Sequence, residues 1–348
     1  MKILEQYLWK VLIISILLTW VSLVGLDSFF NYLRELKQTN NDDQYGNLQA
    51  LVYMVYGLPR SFYEFFPTAT LIGAVMGLGQ LAASSELVAM RAAGISIKNI
   101  IFSTLKLGLL MAVLIFALGE WITPQAEIYG KNFKMEKQEK GPALSEKGAW
   151  FKKGNKMIHI DKTWSKDKFL GVSIYQRQGM MHAETAQRQG ERWILNKVTV
   201  REFKDTGFKV KRYESLKVNS LVPPDILDIA SIEAKHLSTQ ELATFIDHQD
   251  ENDLNTTRLE QAYWQRFSIP LSILVMLIIA IPFTFGSQRS AGAGQRLFFG
   301  ILIGIGFFLL NRAASNMGVV YGFSPVLSAF APLIFFLGIG LIFLRRIR

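Results

Sequence analysis

The side chains able to do chemistry are few, and their spacing does not suit catalysis. The histidines, His159, His182, His236 and His248, are scattered through the hydrophilic middle of the chain without metal-ligand spacing, and read as solvated surface groups. The 348 residues include no cysteine, which excludes disulfides, thiolate nucleophiles and Cys-ligated metals. Gly130-Lys131 is followed by Asn132 and lacks the earlier loop glycine of a Walker-type phosphate loop. No His-Glu-x-x-His or Gly-x-Ser-x-Gly string occurs. No catalytic or metal site is expected. No apolar segment carries an acid at its centre to relay protons or hold Na⁺, so energy for transport points to a partner rather than a gradient.

Three polar constellations point to binding instead. Asp27, Asn31 and Arg34 fall at i, i+4 and i+7 and share one helical face beside Phe29. They are either interfacial charges or the lining of a cavity for an amphiphile with a charged head. Asn311 and Arg312 allow the same two readings. Lys131, Lys134, Lys137 and Lys140, followed by Lys147, Lys152, Lys153 and Lys156, form a basic run that Glu136, Glu139 and Glu146 offset in part. It is a solvated face or a surface that receives phosphates, each partly desolvated contact being worth about 1.5–3 kcal/mol. The third lies in Leu81-Ala-Ala-Ser-Ser-Glu-Leu-Val-Ala-Met-Arg-Ala-Ala-Gly94. Ser84 or Ser85 can cap a short helix, Glu86 suits its first turn, Leu87 and Met90 share a face, Arg91 follows, and Gly94 can end it. Such a helix is plain packing or the grip of a soluble motor.

These groups must be positioned by a membrane bundle. A spanning helix needs about 20 apolar residues. Six stretches qualify: 11–26 continuing to about 33, 65–83 after a Pro-broken lead-in at 48–58, 100–121, 267–285, 297–310 extending to about 314, and 325–344. Hydrophobic content is 50% and charged content 19%, so the charges concentrate in the hydrophilic insert between the third and fourth spans. The first span lacks a small-x-small cleavage site and is expected to stay as a helix. Lys2, Lys10, Arg91, Lys98, Arg289, Arg296, Arg345, Arg346 and Arg348 outnumber Arg34, Lys37, Arg60 and Arg312, which predicts cytoplasmic termini and an extracytoplasmic insert. The net charge of +10 suggests anionic lipid or phosphate, and no basic helix or zinc-finger spacing argues for nucleic acid.

The insert divides into a helical extension over 124–140, strands from 141 to about 233, and a short helix at 238–247 opened by a Ser238-Thr-Gln-Glu241 capping box. Strands are predicted at 157–161, 169–176, 192–203 and 208–217, all with only partial alternation. The expected fold is membrane α+β: six transmembrane helices with an extracytoplasmic antiparallel sandwich or roll between helices three and four. By domain, residues 1–123 hold spans one to three with a short helix at about 84–94, residues 124–260 the insert, and residues 261–348 spans four to six.

The strings Gly73-Ala-Val-Met-Gly-Leu-Gly-Gln-Leu-Ala-Ala-Ser-Ser-Glu-Leu-Val-Ala-Met-Arg-Ala-Ala-Gly94, Gly119-Glu-Trp-Ile-Thr-Pro-Gln125 and Val319-Val-Tyr-Gly-Phe-Ser-Pro325 resemble the lipopolysaccharide-export permeases, the LptF/LptG family, and its LptG branch in particular. The resemblance implies an ABC-type exporter subunit of the Gram-negative inner membrane with a periplasmic β-jellyroll. It implies pairing with an LptF paralogue, two copies of the ATPase LptB, and the transmembrane helix of LptC with a periplasmic bridge. ATP and Mg would be bound by the ATPase, and this chain would carry no cofactor. Lipopolysaccharide would enter near helices one and five, with Arg34, Lys131 and Lys134 near its phosphates. Ser85, Glu86, Leu87, Met90 and Arg91 would form the coupling helix. Ser28 and Glu35 depart from lysines of the family on outer helix one. The rival readings are a non-transporting scaffold or signalling subunit coupled to an ATPase and, last, an intramembrane enzyme.

Overall fold

The computed structural model describes the chain except residues 1, 40–45, 138–148, 154, 166–167, 190–191, 205–206, 220, 222–233, 235–236, 253, 286–291 and 346–348. The elements are α1 (Lys2–Thr39), α2 (Asn47–Ala83), α3 (Glu86–Ala92), α4 (Ile97–Ala117), a π-helical turn (Leu118–Ile122), α5 (Thr123–Lys137), strands β1 to β6, then α6 (Thr239–Asp250), α7 (Thr257–Ala280), α8 (Pro282–Phe285), α9 (Ala293–Tyr321) and α10 (Pro325–Arg345). Six helices are long and apolar enough to cross a membrane. An antiparallel sheet is inserted between the third and fourth of these.

Two compact units result. The first comprises residues 1–33, 57–124 and 257–348, and the second residues 34–56 and 125–256. In the helical unit α2 and α7 are the inner spans: 78% and 56% of their most apolar stretches are buried, against 22% for α1 and 17% for α9. Small residues allow that arrangement. A Cβ on Gly73 would fall 2.5 Å from the backbone of Ile16, so α1 and α2 touch main chain to main chain. Gly304 of α9 receives the Thr68 side chain of α2, and Gly108 seats Leu277 of α7 against α4.

Three span boundaries differ from the sequence reading. The lead-in at 48–58 is not broken, because α2 runs unbroken through Pro59 and Pro67. Neighbouring side chains also bond to carbonyls in this stretch, Trp20 Nε1 to Phe62 O at 2.9 Å and Thr123 Oγ1 to Pro59 O at 3.5 Å, which tie α2 to α1 and to the start of α5. The fourth span begins at Thr257, and Ile281 separates it from the short α8 at Pro282. The fifth continues to Tyr321 because nothing stops it before Gly322, whose φ of +68° closes the helix ahead of Pro325.

The second unit is built on one six-stranded antiparallel sheet in sequential order: β1 (Ala149–Lys153), β2 (Lys156–Ser165), β3 (Lys168–Gln176), β4 (Gly179–Gln189), β5 (Arg192–Lys204) and β6 (Gly207–Asn219). β1 and β4 were not anticipated. The phase of burial changes inside the strands. Phe169, Ala186 and Leu195 form one paired row and Val172, Ala183 and Val198 another, three residues further along each strand, yet all six belong to one core. Ordinary pleating brings a strand back to the same face every second residue. Two rows therefore lie between the buried ones, and the sheet creases along Gly171, Glu184 and Lys197. Gly171 (φ +63°) and Lys197 (φ +51°) have left-handed backbone there, and a Cβ on Gly171 would fall 1.9 Å from Asp161 Oδ2. The crease lets one sheet close over a single core, which Phe169 and Trp193 fill with rings stacked 4.4 Å apart. Phe245 of α6 packs against the same core. The capping box at the start of α6 forms as expected: Ser238 Oγ accepts from Glu241 N at 3.2 Å, and Glu241 Oε2 accepts from Ser238 N at 2.7 Å.

Candidate functional site

At one end of the helical unit the chain leaves α2 and forms α3, only seven residues long. A helix this short is marginal alone and needs tertiary support. Leu87 (3% exposed) and Met90 (7%) supply it by entering the core of the bundle, each burial contributing about 1.5–3 kcal/mol. These two residues, expected on the partner-facing side, therefore seat α3 in its own bundle. The exposed side is made by Ser84, Ser85, Val88, Ala89, Arg91 and Ala92, with Glu86 half-buried at its start.

The cap is not the one the serines suggested. Ser85 occupies the N-cap position with φ +60° and makes no side-chain cap bond. Ser84 Oγ instead donates to Glu86 Oε1 at 2.7 Å, and the Tyr7 phenol of α1 interacts with the same carboxylate. These two groups, Tyr7 first, hold the Glu86 carboxyl below its ordinary range. The C-terminus closes as a Schellman motif: Gly94 (φ +87°) donates to Arg91 O at 3.0 Å, and Ile95 donates to Met90 O at 3.1 Å. The C-terminus of α3 is thus closed, and its acid interacts with α1. Tyr7 was missed in the sequence because nothing local links it to residue 86.

The polar face of α1 is divided. Asp27 accepts from Asn31 Nδ2 at 2.8 Å and from Ser61 Oγ of α2 at 2.6 Å, so its carboxylate ties α1 to α2. Phe29 (55% exposed) and Arg34 are exposed. On α9, Asn311 is half-buried with its carbonyl accepting from Ser315 Oγ at 2.8 Å, and Arg312 is exposed.

In the second unit Lys131, Lys134 and Lys137 of α5 are half-buried, while Lys140 and Lys147 lie outside the described residues. The Lys134 ammonium pairs with the Glu35 carboxylate of α1 and sits 4.8 Å from the centroid of the Tyr53 ring of α2. Glu35 is only 8% exposed. Gly130 allows this approach, since a Cβ there would fall 2.8 Å from Tyr56 Cβ. Lys134 thus has an acid of this chain as its counter-ion.

Two buried arginines also escaped the sequence reading. Arg266 of α7, 2% exposed, donates through Nη1 to Gly119 O at 2.9 Å and lies 5.3 Å from the Tyr63 ring centroid. Gly119 belongs to the π-helical turn, and a Cβ on it would meet the Tyr63 ring at 2.5 Å. Arg296, at the start of α9, donates to Gly79 O near the end of α2, and a Cβ on Gly79 would meet the arginine side chain at 2.6 Å. The signal available was an arginine paired with a glycine in another apolar segment, which becomes specific only with the fold in hand.

Comparison with known proteins agrees with this architecture. The profile of the family described as lipopolysaccharide export system permease LptF/LptG matches residues 6–346. The chain is 30% identical to the lipopolysaccharide export system permease protein LptG of Escherichia coli K12 over 357 aligned positions, covering 99% of this chain and 98% of that one. It is 29% identical to the protein of the same name from Haemophilus influenzae, with 96% of each chain covered.

Proposed function

Because the chain belongs to the LptF/LptG family of lipopolysaccharide export permeases, we propose that it is the LptG-type permease subunit of an ATP-driven exporter. In this reading it draws lipopolysaccharide from the outer leaflet of the inner membrane and passes it to a periplasmic bridge. It pairs with an LptF paralogue, and two copies of the LptB ATPase bind ATP and Mg below it. LptC contributes a transmembrane helix and the first part of the bridge. The termini and α3 face the cytoplasm, and the sheet unit faces the periplasm.

The observation that carries this reading is α3. A seven-residue helix, seated by Leu87 and Met90 and closed at its C-terminus by a Schellman motif, offers a small face beside Glu86. A soluble motor needs such a fixed contact to move a bundle. The exposed apolar faces of α1 (Leu18, Val21, Phe29) and α9 (Phe298, Leu302, Leu309) suit acyl chains and the paralogue's helices. Lys131, Arg34 and Arg312 suit phosphates, because a charge-assisted contact survives partial desolvation.

The test uses the reconstituted complex. Glu86→Lys should abolish assembly with the ATPase, or ATP-driven transport, while the bundle stays folded. Unchanged coupling of ATPase activity to transport would overturn the role of α3. Photocrosslinking from Phe29, Arg34 and Arg312 should yield lipopolysaccharide adducts. Their absence from all three positions favours a scaffold that does not transport.

A further inference from the structure

We propose that Arg296 is a positioning residue that carries motion of the α3-bearing end of α2 into α9. This deepens the reading of α3 above and rests on it. α3 begins three residues after α2 ends at Ala83, and Gly79 stands one turn before that end. Arg296 is buried and donates through Nη1 to Gly79 O, and only a glycine at 79 leaves room for its side chain. Its Nε is buried and makes no hydrogen bond among the described residues. Such a desolvated cation needs a favourable field to stay in place. Its own helix supplies none: Arg296 lies in the first turn of α9, which holds no acid, and the helix dipole there disfavours a cation. The C-terminal end of α2 supplies the favourable field instead. The charge of Arg296 is thus stabilised by α2 and opposed by α9, so it holds the start of α9 on the end of α2.

Gly300 and Gly304 follow Arg296 at i+4 and i+8, on the same face of α9. A Cβ on them would fall 3.5 Å from Ile72 Cα and 2.8 Å from Thr68 Cγ2, so this half of α9 lies against α2. The other half is held elsewhere. Phe307 meets the Phe336 ring of α10 edge-on with centroids 5.3 Å apart, and Gln265 of α7 donates to Ser315 Oγ. Little else resists movement of α9, since only 17% of its most apolar stretch is buried. When α3 is displaced, the end of α2 goes with it, and Arg296 takes the start of α9 along while α7 and α10 restrain the far half. α9 tilts, and the exposed apolar face formed by Phe298, Leu302 and Leu309 tilts with it.

The experiment uses the full exporter complex in nanodiscs, with partner chains free of cysteine. This chain has none, so Gln80→Cys on α2, Phe298→Cys on α9 and Ile342→Cys on α10, all exposed, take spin labels two at a time. Distances are read before and after trapping with ATP and vanadate. In the parent, trapping should shift the population ratios from Gln80 to Ile342 and from Phe298 to Ile342 roughly five-fold or more, a modest coupling. The distance from Gln80 to Phe298 should stay unchanged. In Arg296→Met the shift from Gln80 to Ile342 should persist, the shift from Phe298 to Ile342 should be lost, and Gln80 should move against Phe298. Arg296→Lys, which keeps the charge and one donor, should recover part of the lost shift. Loss of both shifts in Arg296→Met marks a merely structural role and overturns the link, as does a shift from Phe298 to Ile342 equal to the parent's. A distance from Gln80 to Phe298 that changes on trapping in the parent also overturns it, even where the methionine variant fails to assemble. No shift in any pair of the parent defeats the proposed role of α3, whereas movement of Gln80 without movement of Phe298 defeats only the link.

Discussion

In the helical unit several tryptophans and arginines are turned onto backbone carbonyls, whereas on the sheet charged side chains meet one another. Trp9 donates to Ser103 O at 3.0 Å, Trp20 to Phe62 O at 2.9 Å, Arg266 to Gly119 O at 2.9 Å, and Arg296 to Gly79 O. In the sheet, Lys197 meets Glu184 and Lys211 meets Glu202, each at 2.7 Å, and His159 meets Asp161 at 3.0 Å. Solvent explains the difference. Away from water a carbonyl is an acceptor that brings no second charge to desolvate, so one polar contact there is costly to lose. At a wet surface two charges pair readily and stabilise little.

The contrast can be broken most sharply at Arg266. Arg266→Ala should destabilise the helical unit by about 2–3 kcal/mol, the range for a charge-assisted bond whose acceptor stays buried. Thermal unfolding in detergent measures this, and a melt unchanged from the parent removes the contrast. Arg266→Lys should recover little, because a compact ammonium cannot both reach Gly119 O and stack on Tyr63 as a planar guanidinium does.

The next largest effect belongs to the crease. Gly171→Ala should destabilise the sheet by at least about 1–2 kcal/mol from left-handed backbone alone, with the Asp161 clash added. Hydrogen exchange in β2 to β4 should rise. The double variant with Asp161→Gly should relieve the clash and leave the backbone strain. Full recovery would mean that the positive φ is not required.

Glu86 offers a smaller, pH-dependent test. Its carboxyl is held below the ordinary range when folded, so its contacts with Tyr7 and Ser84 are complete above the unfolded value of about 4.3. They are lost as pH falls through the lower folded value. Hydrogen exchange of α3 should increase only below that unfolded value, and Tyr7→Phe should move the onset upward. An onset independent of Tyr7 assigns the hold to Ser84 alone.

The smallest effects are expected at the surface pairs. Lys197→Gln and Lys211→Gln should leave the melt unresolved from the parent at neutral pH. The glutamate partners raise both lysines when folded, so the pairs are intact below the unfolded lysine value of about 10.4. They fail only as pH rises through the folded values. A clear loss at pH 7 would place these pairs beside the helical contacts.

Much of this was legible where the determinants are local. The six apolar segments, the Ser238–Glu241 capping box and Gly94 as the end of a short helix all rest on neighbouring residues, and the structure shows each of them. Leu87 and Met90 were legible as one face of a helix, but not the direction of that face, which depends on the bundle beneath. β4 was hidden because Ala183 and Ala186 are buried three apart, a spacing that suits a helix better than a strand. The alternation in β3 and β5 looked partial for the same reason. The lead-in at 48–58 read as broken because Pro59 usually ends a helix, whereas the bundle packed around α2 carries the helix through it. The counter-ion of Lys134 was out of reach because Glu35 lies in another helix, about a hundred positions earlier in the chain.

The crease also governs how the insert can change length over evolution. β3, β4 and β5 change burial phase at the same paired row. Removing one residue within any of them would shift half of that strand against both neighbours and expose its apolar side. Insertions and deletions should therefore collect at the hairpin connections, such as 177–178, while the strands hold a common length on each side of row 171–184–197. A scan of single-residue deletions should show this as a band of intolerance running across the sheet.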